Sequence, residues 1–503
     1  MIFMGYAWLK NNLQIPSEIL QTICLQGREN KTITREDGVK ELYFGPKYTP
    51  ENAPTAHLEF ALKYEVLNLS LLCQIFLKTD QSAIINFIKI RPNGINTRKL
   101  GFLFEFLTNQ TLELDFTIGG KYTPILEESK YVTGKFTNNE KWRIKNNFLG
   151  TTDFCPIVVR TEILELAIGY DVSKPLLGFQ KKYNKSVYRR AFSYLYTKET
   201  KSSFEIEREM PTQSKMERFV VLLTKAGIEN DTLFLSEESL TEKQNKIVDA
   251  RFVASGWRNF QNYIGETLPD YSQIVHFVCP PPISVKSMMA GLNHCFQKSK
   301  DNNAIILATL IAFGFVFIHP FDDGNGRLHR YLIHDILVRR KAVSSGTIIP
   351  ISAQMLENIE EYDIILESYS KPLLSFIKFS LDTQGELTIL NPSEVMGYFK
   401  YPNLTRQCEY IFNTLVAAVA KIEDELEYLN KYDFLKREIE NFLDLPDKLL
   451  NNLIIFIHQN RGTLSKNKRK QFDKLTDTEI STIEKLYNKI FIENTEGSPK
   501  VNS

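Results

Sequence analysis

The sequence has little that would tie it to a membrane, a metal cluster or an oxidising compartment. Its six cysteines, Cys24, Cys73, Cys155, Cys279, Cys295 and Cys408, stand far apart with no Cys-x-x-Cys pair. That spacing argues against a zinc site and against a disulfide framework, and favours a reduced, cytoplasmic setting. Charge of either sign is not in excess: 61 Lys and Arg oppose 60 Asp and Glu, for a net charge of +1. A balance that even gives no bulk attraction for nucleic acid or an anionic bilayer. No fixed-period repeat and no low-complexity tract is present. The start, Met1–Ile2–Phe3–Met4–Gly5–Tyr6, has no basic segment leading into a long apolar run, so no signal peptide is expected. The most apolar stretch, Ala304 to Ile318, is shorter than the ~18–20 residues that span a bilayer and runs straight into His319 and Pro320. It is expected to be a buried core helix.

What is present suffices for several ordinary cores: 503 residues, 43% of them hydrophobic, allow about two to four domains. Residues 1–183 mix helix-like stretches such as His57–Leu77 with β-prone runs at Ile84–Ile90 and Leu112–Ile118, punctuated by Gly94, Gly119–Gly120 and Pro124, and read as an α+β domain. From Asn184 the pattern turns helical. Tyr188, Ala191, Phe192, Leu195 and Tyr196 share one face of a helix expected over Val187–Glu209, which Pro211 stops. A second helix fits Lys215–Ala226, ended by Gly227. A third is expected near Thr241, where Thr241 and Gln244 have capping-box spacing. Gly256, Gly265, Pro269 and Pro280–Pro281–Pro282 then exclude a continuous helix, and the runs Arg258–Tyr263 and Ile274–Val278 suit a hairpin. Helices resume at Val285–Phe296, Asn303–Ile318 and Gly326–Lys341. Residues 184–385 are taken as a second domain. Residues 386–503 are taken as a helical third, with Glu409–Leu429, Pro446–His458 and Thr478–Phe491 as its clearest pieces and fraying expected after Asn494.

One segment stands apart: His319–Pro320–Phe321–Asp322–Asp323–Gly324–Asn325–Gly326–Arg327–Leu328–His329–Arg330. Pro320 disfavours helix at His319, which puts the imidazole at a bend. Gly324 and Gly326 flank Asn325 just before a helix, where converging N–H groups and the helix dipole attract an anion. Arg327 and Arg330, three residues apart, lie on one face of that helix. Cations there oppose the dipole, a conflict that a bound polyphosphate would remove because guanidinium groups pair well with phosphate. Asp323 is a hard oxygen ligand suited to Mg²⁺ on phosphate oxygens. His319 is a ready base near neutrality. The residue types therefore suggest a nucleotide-phosphate site with a base and a metal ligand.

The segment resembles the signature HxFx(D/E)GNGRxxR of the Fic (filamentation induced by cAMP) family at every specified position. The resemblance implies a mainly α fold: an all-helical Fic core with a β-hairpin flap, here preceded by the α+β domain and followed by the helical one. It implies a protein adenylyltransferase that moves AMP from ATP, with Mg²⁺ or Mn²⁺, to a hydroxyl of a target protein and releases pyrophosphate. In that reading His319 is the general base and Asp323 holds the metal. Gly324, Asn325 and Gly326 form the anion cradle, Arg327 and Arg330 contact the outer phosphates, and Phe321 anchors the loop. Residues 258–282, ending in Val278–Cys279–Pro280–Pro281–Pro282, resemble the family's flap, on which the target docks by strand addition. Self-modification is a further expected outcome.

Upstream, Ser203–Phe204–Glu205–Ile206–Glu207 resembles the inhibitory pattern (S/T)xxxE(G/N), within a helix expected over about 187–210. The resemblance implies that Glu207 pairs with Arg330 and blocks placement of the γ-phosphate. Arg208 departs from the pattern's Gly or Asn. Glu205 and Glu209 are expected to face away from Glu207. Together with Gly5–Leu9, His57–Leu62 and Asn147–Cys155, these motifs look like those of long single-chain bacterial Fic proteins. Other readings stay open: another nucleotide donor, removal rather than addition of AMP, or a non-catalytic regulatory protein. Only the basic cluster Arg461, Lys466, Lys468, Arg469 and Lys470 favours a nucleic-acid contact in that last reading, and a solvated loop is the preferred account of it. His329 and His334 have no partners at metal-ligand spacing.

Overall fold

A computed structural model describes residues 2–15, 20, 22–36, 39–269 and 272–493; the fraying expected after Asn494 lies outside them. The chain is mainly helical, as expected, with 20 α-helices among the described residues and only short strands.

The main core is built around one helix that is apolar on every side, Ala304–Ile318, with all residues from Ile305 to Ile318 buried. A helix hydrophobic all round can only be stable when covered on all faces. Before it in the chain come α1 (Lys185–Ile206), α2 (Gln213–Thr224), α3 (Glu237–Ile247), the hairpin strands β1 (Tyr263–Thr267) and β2 (Gln273–Val278), and α4 (Pro282–Lys298). The central helix is α5. After it come α6 (Asn325–Arg339), α7 (Ile351–Glu357), α8 (Ile359–Leu374) and the 36-residue α9 (Thr405–Glu440). Helix α5 packs directly on α4, α6 and α9.

N-terminal to these, a four-stranded sheet (Phe3–Met4, Thr22–Gln26, Lys40–Phe44, Lys31–Thr34 in spatial order) sits beside helices Pro54–Tyr64, Leu69–Leu77, Gln81–Ile90 and Ile95–Thr108. Their core includes Leu58, Leu72, Ile84, Leu103 and Trp142. Backbone bonds from Cys155 and Ile157 to Lys400 and Pro402, returned by Leu404 to Ile157, stitch this part to the segment before α9. At the other end, α9 leaves the main core and contributes Leu435 and Ile439 to a separate cluster with α10 (Asp447–Gln459) and α11 (Asp477–Phe491).

Several local expectations are corrected. Ile84–Ile90 is helical, not extended: Asp80 caps it by accepting from Ser82 N–H, and Ile84 and Ile88 bury one helical face, so tertiary packing overrides β-propensity. Leu112–Ile118 forms no strand. His57–Leu77 is two helices, because Asn68 caps a new one by accepting from Leu71 N–H. The helix expected at Thr241 begins at Glu237, capped by Ser236. The first hairpin strand is Tyr263–Thr267, and Arg258 has a different task described below.

Candidate active site

Helix α5 ends at His319, which adopts the left-handed conformation (φ 53°, ψ 61°). Its Nδ1 lies 3.2 Å from the carbonyl of Val316. A carbonyl can only accept, so this contact places the proton on Nδ1 and leaves the Nε2 lone pair available. Burial, and next the cation of Arg258, push the imidazole down to about 4. It is therefore neutral at pH 7.

Arg258 was not legible as functional from sequence. It is 5% exposed and donates from Nε to the His319 carbonyl (2.7 Å), from Nη2 to Pro280 (2.7 Å) and from Nη1 to Phe260 (2.8 Å). It clasps the base of the flap to the loop that carries His319. The strands pair antiparallel from Tyr263↔Val278 to Thr267↔Gln273, with an irregularity between Ile264 and Gly265.

The loop closes on itself. Phe321 is fully buried. Asn325 accepts from Phe321 N–H (3.1 Å) and donates to its carbonyl (2.9 Å). The Asn325 side chain is thus spent on loop shape, and what it can offer an anion is its backbone N–H. Gly324 has φ 89°, a conformation that favours glycine. Asp323 accepts from Gly324 N–H (2.5 Å) and from Arg327 Nη2 (2.7 Å), and its side chain is 44% exposed.

The two arginines at the start of α6 are both held by carboxylates from the end of α1. Arg330, 1% exposed, donates from Nε to Ser203 Oγ (2.9 Å) and from Nη2 to the Ser203 carbonyl (2.6 Å) and Glu207 Oε1 (2.7 Å). Burial acts to lower the Arg330 pKa, but Glu207 and Tyr362 raise it on balance. A Cβ at Gly326 would lie 2.1 Å from Glu207 Oε1; the Glu207 carboxylate therefore rests on the glycine cradle itself. Arg327 donates from Nη1 to Glu209 Oε2 (2.5 Å). This overturns the expectation that Glu209 faces away. The reason is the way α1 ends: the helix stops at Ile206, so helical spacing no longer governs residues 207–209.

That ending is a Schellman motif. Glu209 N–H bonds to the Phe204 carbonyl and Arg208 N–H to that of Glu205, with Arg208 in the left-handed conformation (φ 55°). The Gly or Asn usual after the glutamate is the residue type that suits this conformation. Arg208 adopts it without being either.

Of the remaining candidates, His334 bonds Glu199 (2.7 Å), which also accepts from Ser352 N–H (2.8 Å). All three are buried; the group ties α1 to α6 and α7. No cluster of metal-binding side chains occurs among the described residues. In the basic cluster, Arg469 is engaged by Asp477 and the carbonyls of Phe472 and Leu475, and Lys468 lies over the Phe456 ring. These two cations serve the local fold. No helix among the described residues is long and apolar enough to cross a membrane.

Residues 235–337 match the Fic/DOC family. The protein adenylyltransferase Fic of Nematostella vectensis is 25% identical over 192 residues, 36% of this chain and 41% of that relative. The match thus spans about two-fifths of the relative's length. Among solved structures, a Fic family protein from Desulfovibrio desulfuricans G20 aligns with 68% of this chain and 95% of its own (16% identity, TM-score 0.37). A Fic domain containing signaling protein from Bacteroides thetaiotaomicron VPI-5482 aligns with 52% and 97% (15% identity, TM-score 0.34). Residues 235–337 are thus a Fic/DOC-type domain within the chain.

Proposed function

We propose that the protein transfers AMP from ATP to a hydroxyl side chain of a target protein and is held inactive by Glu207. The observation that carries this reading is a neutral imidazole beside a helix N-terminus whose two arginines are both occupied by internal carboxylates. A helix start with paired guanidinium groups is built for phosphates. Carboxylates are the anions that a protein can supply in their place.

In this reading Arg330, freed from Glu207, and Arg327 orient the outer phosphates of ATP, and the backbone N–H groups at 324–326 receive phosphate oxygens. The half-exposed Asp323 carboxylate, next to the cradle, has the hard donor chemistry that Mg²⁺ or Mn²⁺ requires. The metal, when bound, would neutralise charge on the phosphates. His319 Nε2 takes the proton of the target hydroxyl as its oxygen bonds to the α-phosphorus, and the bond to pyrophosphate breaks. The flap presents Tyr263–Thr267 as one strand of a two-stranded sheet, to which an extended target segment can add. A cytoplasmic setting suits both ATP and six free thiols. Incubating wild type, Glu207→Gly and His319→Ala with ATP labelled on the α-phosphate, Mg²⁺ and a cell lysate tests the proposal. Label should appear on protein with the first two, most with Glu207→Gly, and not with the third. No label on any protein with Glu207→Gly would overturn it.

A further inference from the structure

Glu209 is held by two cations, one for each carboxylate oxygen. Oε2 accepts from Arg327 Nη1 at 2.5 Å and Oε1 pairs with Lys215 Nζ. Both cations are withdrawn from water, with side-chain exposures of 3% and 14%. The Nε atom of Arg327 is buried with no hydrogen-bond partner. Lys215 comes from the start of α2, an element outside the signature, and its next acid, Asp249, stands 3.9 Å away.

A guanidinium and an ammonium converging on two oxygens of one anion is an arrangement suited to a phosphoryl group as well as to a carboxylate. Glu209 reaches it through the same Schellman turn that places Glu207 on Arg330. The two carboxylates stand two residues apart in the chain and occupy two different arginines of one helix turn.

We infer that Arg327 and Lys215 form a subsite for an outer phosphoryl group of the nucleotide, and that Glu209 is its internal occupant, a second lock that acts separately from Glu207. The inference rests on the nucleotide-site reading above. It adds a ligand-binding residue, Lys215, and an inhibitory one, Glu209. Glu209 must leave before a triphosphate seats, and Lys215 then has a phosphoryl oxygen in its place. AMP, with no outer phosphoryl group, has no use for the subsite.

Isothermal titration of the full chain in MgCl₂ with ATP, AMP and inorganic triphosphate tests this. Glu209→Gln keeps the size of the side chain and removes its charge. It should bind ATP and triphosphate about tenfold more tightly than wild type and leave AMP affinity unchanged. Lys215→Met in the Glu209→Gln background should reverse that gain for ATP and triphosphate alone. Glu205→Gln, whose carboxylate pairs with Lys201 at the surface, should match wild type. Thermal unfolding midpoints confirm that each variant is folded, and Glu209→Ser replaces Glu209→Gln if that one is not. Equal ATP affinity of wild type and Glu209→Gln overturns the inference, as does triphosphate affinity that is indifferent to Lys215→Met. If no variant binds ATP, AMP or triphosphate, the nucleotide-site reading falls with it. Binding of ATP that ignores both substitutions leaves that reading standing and removes only this one.

Discussion

Glu207 and Arg330 form an asymmetric pair: the arginine is 1% exposed, whereas the glutamate is 36% exposed. The arginine is a fixed part of the core, held also by Ser203. The glutamate is the partner that can move. Removing it should free a positioned cation rather than collapse the site.

Glu207→Gly is therefore expected to raise self-modification at least about tenfold, which corresponds to about 1.4 kcal/mol of barrier. The measurement is incorporation of labelled AMP by the purified protein, with the fold checked by circular dichroism. Equal incorporation by wild type would mean that the contact is only structural.

His319→Ala should remove transfer, by about 10²-fold or more, while ATP still binds. Because burial holds the imidazole near 4, the base stays neutral above that value. The activity of Glu207→Gly, which removes a carboxylate that raises the imidazole pKa, should then show no loss assignable to His319 between pH 7 and about 5. An acid limb centred near 6.5 would contradict the environment described for this side chain.

Asp323→Ala should abolish activity together with its response to Mg²⁺ or Mn²⁺. The same substitution removes one partner of Arg327, so ATP binding in EDTA should be retained. Full activity of the unmodified chain in excess EDTA would rule out the assigned role.

Arg208→Gly is expected to stabilise the protein by roughly 1 kcal/mol, because a side chain in the left-handed region is strained and glycine is not. The lock should tighten with it, and basal self-modification should drop below that of wild type. A lower unfolding midpoint in urea would show that the arginine side chain contributes more than its backbone costs.

Acid stability should depend on His329. Burial depresses this fully buried imidazole to about 3, whereas it titrates near 6.5 in the unfolded chain. The unfolded state then binds the extra proton as pH falls through 6.5, so the stability this group contributes is present above 6.5 and is lost progressively below it. His329→Leu should make the decline in urea midpoint between pH 6.5 and 4 shallower. Parallel slopes for the two proteins would refute the argument.

Much of the geometry around residues 319–330 could be read from those twelve consecutive residues, because it is local: a helix end, two glycines, two arginines and a histidine at the bend. Phe321 as loop anchor and the Ser203–Glu207 spacing are of the same kind. What could not be read depends on where helices stop. Periodicity places Glu209 on the far side of a helix, but the helix had already ended. Arg258 could be read only as the start of the flap and Lys215 only as the start of a helix, since nothing in their neighbourhoods announces the carbonyls of His319 and Pro280 or the carboxylate of Glu209. In the fold, the all-apolar α5 was plain, whereas Ile84–Ile90 was not. Short apolar runs carry no period long enough to tell a strand from a helix, and capping by Asp80 decided the matter.

Helix α9 runs 36 residues with neither proline nor glycine, the residues at which helices usually kink. At 1.5 Å per residue it is a rod of about 54 Å. Its first turns lie in the main core, where Tyr410 stacks on Tyr362 at 6.1 Å and Tyr362 in turn neighbours Arg330. Its last turns belong to the cluster of Leu435, Ile439, Leu450 and Ile483. Buried side chains from Cys408 to Leu426 fix most of its length in the main core, and only its end, at Leu435 and Ile439, reaches the other cluster. A single hydrogen-bonded rod thus joins the two hydrophobic clusters with no loop between them.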